Sequence, residues 1–374
     1  MEIAMVAAGF SAGEADKVRR SMAAWQRKGG LADYRDKLMT GMLERGYTAQ
    51  FAEQIYNQIL GFGSYGFPQS HSASFALLVY VSAWLRCHAP AALVAGLLNS
   101  WPMGFYAPAQ LVNDARRNGV VFRPIDVQSS EWDCTLEAGA AGEPEVRLGL
   151  RMVSGLAQAQ GTNVAAGKPY VDLDELAHRV SLPRRTMELL ARAGALATLA
   201  GHRRRAHWGA IGVEHLPGAL AGTSAREKSL DITAPGEGED IVGDYRGMGL
   251  TLGRHPLALI RGKLNRLKAY RAADLVELNS GRTIRVAGIV THRQRPETAS
   301  GVVFMTLEDE TGTCNLIVWP RVQLAQRDAV FAARLMVVQG ELQSELGVIH
   351  IIADKVRDYS HWLGRLTVGS RDFR

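Results

Sequence analysis

The chain has 374 residues, 47% hydrophobic and 21% charged, which allows two to three soluble domains that each bury a core. A net charge of +6 favours a polyanionic partner. Three distant cysteines (Cys87, Cys134 and Cys314) argue against a disulfide framework or a zinc site and fit a reducing cytoplasm.

Residues 1–120 are predicted to be helical. Ser11 and Glu14 have the spacing of a capping box, which predicts a helix from there to about residue 25. Thr48 begins a further predicted helix, and Pro90 suits the first turn of a later one. The apolar run at 72–85 is shorter than the ~20 residues that span a bilayer. We therefore expect a buried helix there and no membrane partner.

Residues 63–76 join a glycine-rich turn to a Ser-His-Ser helix start. Backbone N–H groups and small hydroxyls at a helix N-terminus form a site for phosphate, with His71 at its mouth. A capped core helix after a glycine turn accounts for the same residues. The pattern alone leaves both interpretations open.

The middle of the chain alternates between short elements. Short strands are predicted at 121–137, a loop at 138–144, short helices at 146–210, a Gly/Pro-rich linker at 217–240 and helix again at 243–275. The acidic run around Asp172 and Asp174 is the nearest candidate for the paired carboxylates that hold catalytic metals. Its position before an apolar helical period instead predicts that Asp172 is a helix N-cap.

From residue 283 the pattern changes to strands. Five β-rich runs are predicted, with a helical segment near 320–330 between the third and fourth; the runs are 283–291, 302–308, 313–319, 335–341 and 348–353. This is the element order of the OB fold. The predicted fold class is α+β, multidomain, with a mainly helical N-terminal two-thirds followed by a five-stranded OB-fold β-barrel.

Several segments share one order with a known family. The segments at 8–22, 63–76, 99–106, 110–117 and 281–358 resemble the bacterial DNA polymerase III alpha-subunit family. The Pro68-Gln69 pair and the 99–117 region are similar to its error-prone branch. The resemblance implies that the chain is a C-terminal part of an error-prone, translesion DNA polymerase. Such an enzyme is a nucleotidyltransferase that acts in DNA replication and DNA repair when DNA is damaged.

The resemblance also implies the domain organisation. Its predicted parts are partial polymerase fingers at 1–120, an extended segment plus helix-hairpin-helix region at 121–215, a linker and helical bridge at 216–280, an OB fold at 281–358 and a tail at 359–374. The palm aspartates and the N-terminal metal site of the family are absent from this chain, so we expect it to be inactive alone. The alternatives are a non-catalytic DNA-binding or adaptor protein and a relic of a split polymerase gene.

The resemblance implies two sets of site residues. The incoming deoxynucleoside triphosphate would be bound by Lys17, Arg19, Arg20, Ser70 and His71. DNA would be bound by Arg203, Arg204, Arg205, Arg285, Arg293, Arg295, Phe304 and Trp319. Solvated basic helix faces and core aromatics are the alternatives for these residues.

The segment 147–157 resembles the family's helix-hairpin-helix entry, in which a hairpin presents backbone N–H groups to duplex phosphates. Ala157 replaces its second glycine, and we expect its Cβ to weaken phosphate contact or a left-handed turn. No cofactor and no metal is expected in this chain, whereas the full-length family enzyme would use Mg²⁺. Implied partners are primer-template and single-stranded DNA, a sliding clamp and other translesion proteins, although the chain has no convincing clamp-binding peptide.

Overall fold

The computed structural model describes residues 2–23, 32–65, 69–103, 106–140, 142–213, 231–296, 300–345, 348–366 and 370–373. The chain divides into two compact units, residues 1–89 and residues 90–374. This division falls elsewhere than the predicted boundary at residue 120, and the predicted domain boundaries stay a prediction.

The first unit is helical. Its elements are α1 (Glu2–Ala8), α2 (Ala12–Ala23), α3 (Ala32–Glu44), α4 (Ala49–Tyr65) and α5 (Gln69–His88). Phe10, Leu38 and Met42 are buried in its core. At Gly41 of α3, a Cβ would lie 2.1 Å from the backbone oxygen of Ala8, so the absence of a side chain permits α1 to approach.

Two predicted helix starts are confirmed by their hydrogen bonds. The backbone N–H of Glu14 donates to Ser11 Oγ at 3.3 Å, and the N–H of Ser11 donates to Glu14 Oε2 at 3.0 Å. These reciprocal bonds are the predicted capping box. At α4, the N–H of Phe51 donates to Thr48 Oγ1 at 3.3 Å.

Helix α5 is exposed along most of its length. Phe75 is 49% exposed, Leu77 65%, Tyr80 69% and Trp84 50%. The prediction that this helix is buried is therefore wrong for this chain: its apolar residues occur on all sides, and the sequence does not say what covers them. Within the described residues, no helix combines the length and the apolarity that crossing a membrane requires.

The second unit begins with two helices and a small sheet. These are α6 (Pro90–Asn99), α7 (Pro108–Arg117), β1 (Phe122–Arg123), β2 (Thr135–Ala138) and β3 (Pro144–Arg147). The strand order is β1-β3-β2, with β3 parallel to β1 and antiparallel to β2. The short strands predicted in 121–137 are present. Strand β3, however, lies where the sequence predicts the end of a loop and the start of a helix. It was not predictable because four residues are too few to show a periodic pattern.

Five helices follow the sheet. They are α8 (Gln158–Gly167), α9 (Leu173–Arg179), α10 (Arg184–Ala193), α11 (Ala197–Ala200) and α12 (Arg203–Gly212). Leu148, Leu176, Met187 and Leu190 are fully buried and join these helices to the sheet in one core. The predicted short helices of this region are confirmed.

Two helices then bridge to the barrel, α13 (Glu237–Met248) and α14 (Pro256–Arg266). The predicted linker extended through residue 240, but Glu237–Asp240 form the first turn of α13. The N–H of Gly236 donates to Glu239 Oε2 at 3.0 Å, and the acidic first turn suits the positive end of the helix dipole. The Gly- and acid-rich composition of this first turn is typical of a linker, so the sequence alone does not reveal the helix start.

The C-terminal region is a closed barrel. Its strands are β4 (Thr283–Gln294), β5 (Val303–Glu308), β6 (Thr313–Val318), β7 (Leu335–Glu345) and β8 (Val348–Asp358). Neighbours pair in the order β5-β6-β8-β7-β4, and β4 closes the ring on β5. All of these pairs are antiparallel except β6 with β8. Two helices, α15 (Pro320–Ala325) and α16 (Arg327–Ala332), lie between β6 and β7, and β9 (Arg371–Phe373) adds to β4. The predicted OB fold is confirmed.

Candidate nucleic-acid interface

The helix-hairpin-helix segment is built around Gly155. A 3₁₀ turn at Leu150–Met152 leads into the hairpin, and α8 leaves it. Gly155 has a φ of 83°, whereas Ala157 is extended with a φ of −74° and is the N-cap of α8. The left-handed position therefore belongs to glycine. The expected conflict of the Ala157 Cβ with a left-handed turn does not arise, because no such turn occurs there.

The hairpin and the start of α8 present donors beside two cations. Helix geometry leaves the N–H groups of Gln158 and Ala159 without an intrahelical acceptor. A Cβ at Gly155 would lie 3.7 Å from Leu189 of α10, so α10 lies beside the hairpin. Arg185 and Arg192 stand one turn to either side of Leu189, both exposed, and neither forms an ion pair within the described residues. This arrangement suits a phosphate.

The cluster Arg203–Arg205 is neutralised more than its local sequence indicates. Arg203 forms an ion pair with Asp240 at 2.7 Å and another with Asp244, and its side chain is only 17% exposed. Arg204, 41% exposed, pairs with Glu239 at 2.7 Å. All three carboxylates lie on α13, about forty residues away in sequence. A DNA contact by Arg203 would require its internal ion pairs to break.

Burial raises the pKa of Asp244 even though Arg203 stands beside it. The hydroxyl of Thr251 donates to Asp244 Oδ2 at 2.5 Å, which favours the ionised carboxylate. In the same cluster, Arg205 is partly buried, and its Nε has no hydrogen-bond partner among the described residues. Arg204 is thus held by a surface ion pair, whereas Arg203 is mostly buried.

A second cluster of cations lies between Arg254 and Arg271, where the sequence contains no acid, and the structure separates it into two groups. Arg254 pairs with Glu237, Arg261 with Glu310, and Arg271 lies 3.8 Å from Glu310. Arg266 and Lys268 at the end of α14 are exposed and form no ion pair within the described residues. The local absence of acids in the sequence did not reveal the first group, since its acids come from α13 and from the turn after β5.

An apolar outer face lies on β5, β6 and β8 and on the residue after β6, and we define it as Phe304, Ile317, Trp319 and Ile352. Phe304 pairs in register with Ile317, and Ile317 with Ile352 of β8. Phe304 is 37% exposed and Trp319 50%. An exposed aromatic face of this kind suits base stacking. The sequence prediction missed Ile317 and Ile352, which alternation along β6 and β8 would have placed beside Phe304.

Arg293 points into the barrel. Its Nε donates to the carbonyl of Val330 at 2.9 Å, its Nη2 to that of Ala333, and its Nη1 to Ser370 Oγ at 2.6 Å. A register shift between Val290 and His292 reverses the alternation of β4. Arg293, predicted to bind DNA, is consequently only 7% exposed, and burial lowers its pKa.

The other two predicted arginines of β4 stay at the surface but lie apart. Arg295 is exposed just after β4, near Gly301 and the outer face. Arg285 is exposed on the part of β4 that pairs with β7, where its Nε donates to Gln339 Oε1 at 3.1 Å. The two exposed arginines that were predicted to bind DNA therefore lie on two sides of the barrel.

The predicted nucleotide-binding residues belong to the first unit. Lys17 is exposed on α2. Arg19 and Arg20 of α2 and Ser70 and His71 of α5 have side chains that lie outside the described part of the structure. Their proposed role therefore depends on the family resemblance.

Magnesium does not fit the acidic run at the start of α9. Asp172 Oδ1 accepts the N–H of Glu175 at 2.8 Å and caps the helix, as predicted. Asp174 belongs to the first turn of that helix. Across the described residues, no group of three His, Cys, Asp or Glu side chains is arranged to hold a metal ion.

Fold and surface together define a nucleic-acid-binding protein that combines a helix-hairpin-helix with an OB barrel. Comparison with known families agrees: the bacterial DNA polymerase III alpha subunit finger domain matches residues 1–46, the helix-hairpin-helix motif 119–206 and the OB-fold nucleic acid binding domain 284–359. The error-prone DNA polymerase of Alkalilimnicola ehrlichii is 53% identical over 376 residues, and that of Methylococcus capsulatus is 51% identical over 396.

The chain belongs to the bacterial DNA polymerase III alpha-subunit family and is similar to its error-prone members. All of this chain is covered in both comparisons, but it spans only 37% and 38% of the length of these two relatives. Among solved structures, asparaginyl-tRNA synthetase from Pyrococcus horikoshii matches 24% of this chain and 22% of its own at 20% identity and a TM-score of 0.21, too low to support an argument.

Proposed function

We propose that this chain is a DNA-binding part of an error-prone DNA polymerase that copies damaged templates. The hairpin at Gly155 with Arg185 and Arg192 holds the duplex by its phosphates, and the outer face of the barrel holds the single-stranded template by base stacking. The observation that carries the proposal is that hairpin and barrel occur in one compact unit.

The first unit, in this proposal, contributes to binding the incoming deoxynucleoside triphosphate. Lys17, Arg19 and Arg20 on α2 supply cations, and Ser70 and His71 supply polar groups at the start of α5. Bond formation with Mg²⁺ is assigned to residues outside this chain, so the chain alone does not extend a primer. The cytoplasm as its location, and a sliding clamp and other translesion proteins as its partners, are proposed from the family alone.

Variants of the two surfaces test whether the hairpin binds duplex DNA and the outer face binds single-stranded DNA. The first is Arg185→Gln/Arg192→Gln at the hairpin, the second Phe304→Ala/Trp319→Ala at the outer face. The matched control, Arg246→Gln/Arg327→Gln, removes two exposed cations elsewhere in the second unit. Affinity is measured by fluorescence anisotropy with a blunt duplex and with a single-stranded oligonucleotide.

The hairpin variant should lose at least about tenfold in affinity for the duplex, because two phosphate contacts are removed. The outer-face variant should lose ~1–3 kcal/mol per stacked base on the single strand and little on the duplex. If the control loses as much DNA affinity as either variant, or if neither variant differs from wild type in DNA affinity, the proposal is wrong.

A further inference from the structure

A second side of the barrel carries unpaired positive charge. On it lie five exposed cations, which we call the basic face: Arg266, Lys268, Arg285, Lys355 and Arg357. Within the described residues none of them forms an ion pair, whereas Arg203, Arg204, Arg254 and Arg261 all do. Because these five cations lack acidic partners within the described residues, we expect their negative partner to be another molecule.

The strand register holds these cations together. Arg285 of β4 pairs with Gln339 of β7, and Gln339 pairs with Lys355 of β8. Arg357 lies two residues further along β8 and therefore points the same way, about 7 Å from Lys355. The Nη1 of Arg285 also donates to the carbonyl of Leu267 at 3.3 Å, which ties the end of α14 to this row.

Two adjoining clefts lie on this side. The larger, about 420 Å³, is lined by Arg266, Lys268, Tyr270 and Arg285 among others, and the smaller, about 120 Å³, by Arg285, Lys355, Arg357 and Tyr359. No acidic side chain lines either cleft among the described residues. Each cleft thus combines cations with a tyrosine, the residue types that hold single-stranded nucleic acid.

Lys268 occupies a position that favours glycine. The N–H of Ala269 donates to Leu264 O at 3.3 Å and that of Lys268 to Asn265 O at 2.9 Å, the pattern of a Schellman motif. Lys268 is its left-handed residue, with a φ of 55°. A lysine in this conformation is strained, whereas a glycine would not be. The lysine adds a positive charge to the basic face that a glycine could not supply.

We propose that the basic face is a second binding site for single-stranded DNA, separate from the outer face at Phe304 and Trp319. The phosphodiester backbone is held by Arg285, Lys355 and Arg357 on the strands and by Lys268 at the end of α14. The inference rests on the proposed function only in that the chain binds DNA.

The test uses the full chain with Lys355→Gln/Arg357→Gln, and Arg246→Gln/Arg327→Gln as the charge-matched control. Binding to a fluorescent thymidine oligonucleotide is measured across a salt series. The basic-face variant should lose about tenfold at physiological salt, and its log–log salt slope should fall by about 1.4, because two phosphate contacts are gone. The control should keep the wild-type slope, and duplex affinity should be unchanged in the basic-face variant.

A second variant keeps the test informative if the first folds poorly. Lys268→Gly relieves the left-handed strain, so its thermal midpoint should rise while its affinity for the oligonucleotide falls. Wild-type binding with unchanged slopes in both variants would overturn the second site but leave the proposed function intact. Equal losses on duplex and single strand would also overturn it, and absence of binding by the wild-type chain would contradict both proposals.

Discussion

His255 is a buried histidine whose ionisation is set by desolvation. Its side chain is 12% exposed at the start of α14, where Nδ1 accepts the N–H of Leu257 at 3.2 Å. Nε2 lies 3.9 Å from Glu308 Oε1. Burial lowers the pKa of His255 to about 4 although Glu310 and Asp309 raise it, and burial raises the pKa of Glu308. The histidine is therefore neutral at pH 7.

We predict that stability falls as the pH drops from 6.5 toward 4. In that window the unfolded histidine binds a proton and the folded one does not, so acid favours unfolding by up to roughly 3 kcal/mol. His255→Asn keeps a side-chain acceptor for the Leu257 N–H without the titrating group. Urea unfolding at several pH values measures the difference. Parallel pH profiles for wild type and variant would contradict this assignment, since the opposing effect of Glu308 is present in both.

Arg293 and Arg295 form a natural pair for separating structure from binding. Arg293→Met leaves the carbonyls of Val330 and Ala333 without a donor and should cost about 2–4 kcal/mol of unfolding free energy. Arg295→Gln should change stability by less than about 0.5 kcal/mol.

The same two variants should behave the opposite way in DNA binding. Arg295→Gln should lower the salt slope for single-stranded DNA by about 0.7, and Arg293→Met should leave that slope unchanged. Denaturant titration and salt-dependent anisotropy supply the two readouts. A stable Arg293→Met protein with a reduced slope would mean that the guanidinium reaches DNA after all.

Single-residue roles were predictable where the interaction is local. The Ser11–Glu14 box, the Thr48 cap and the Asp172 cap each join residues three apart, so the spacing was sufficient. The ion pairs of Arg203 were not predictable, because its carboxylates lie 37 and 41 residues further along the chain. The burial of Arg293 was not predictable, because one extra residue in β4 reverses which side of the strand faces solvent.

At the scale of elements, α5 stands out because its apolar residues are exposed. Val79 is 64% and Tyr80 69% exposed. Contiguous apolar surface of this kind promotes association in water. The chain should therefore self-associate as its concentration rises.

The variant Val79→Glu/Tyr80→Lys should suppress that association. Light scattering across a concentration series follows the effect, and thermal unfolding checks that these surface substitutions cost less than about 0.5 kcal/mol each. Ile3→Glu is a control because Ile3 is 52% exposed on α1 rather than on α5. A wild-type chain that stays monomeric throughout would show that the exposed face of α5 does not drive association.

The type and order of the elements were predictable where the sequence pattern of an element extends over many residues. The five barrel strands and the helix between the third and fourth were predictable because each strand is a run of at least six residues rich in β-branched and other apolar side chains. The ring closure of β4 on β5 follows from the OB order. Strand β3 and the acidic first turn of α13 were missed, since neither extends far enough to outweigh its loop-like composition.

For the whole molecule, the net charge of +6 is not evenly available. Many arginines of the second unit are paired with acids on α13 or in the turn after β5, whereas Arg185 and Arg192 beside the hairpin and the five cations of the basic face form no ion pair within the described residues. Net charge alone predicted a polyanionic partner. Only the fold shows which cations are free of acidic neighbours and can bind such a partner.

We propose that this chain binds primer-template DNA without joining nucleotides, and one experiment tests both halves of that proposal. A fluorescent primer-template incubated with the chain, Mg²⁺ and all four deoxynucleoside triphosphates can be read for anisotropy and then for primer length in one sample. The account predicts a salt-dependent rise in anisotropy and a primer of unchanged length. A lengthened primer, or anisotropy equal to that of free DNA at low salt, would contradict it.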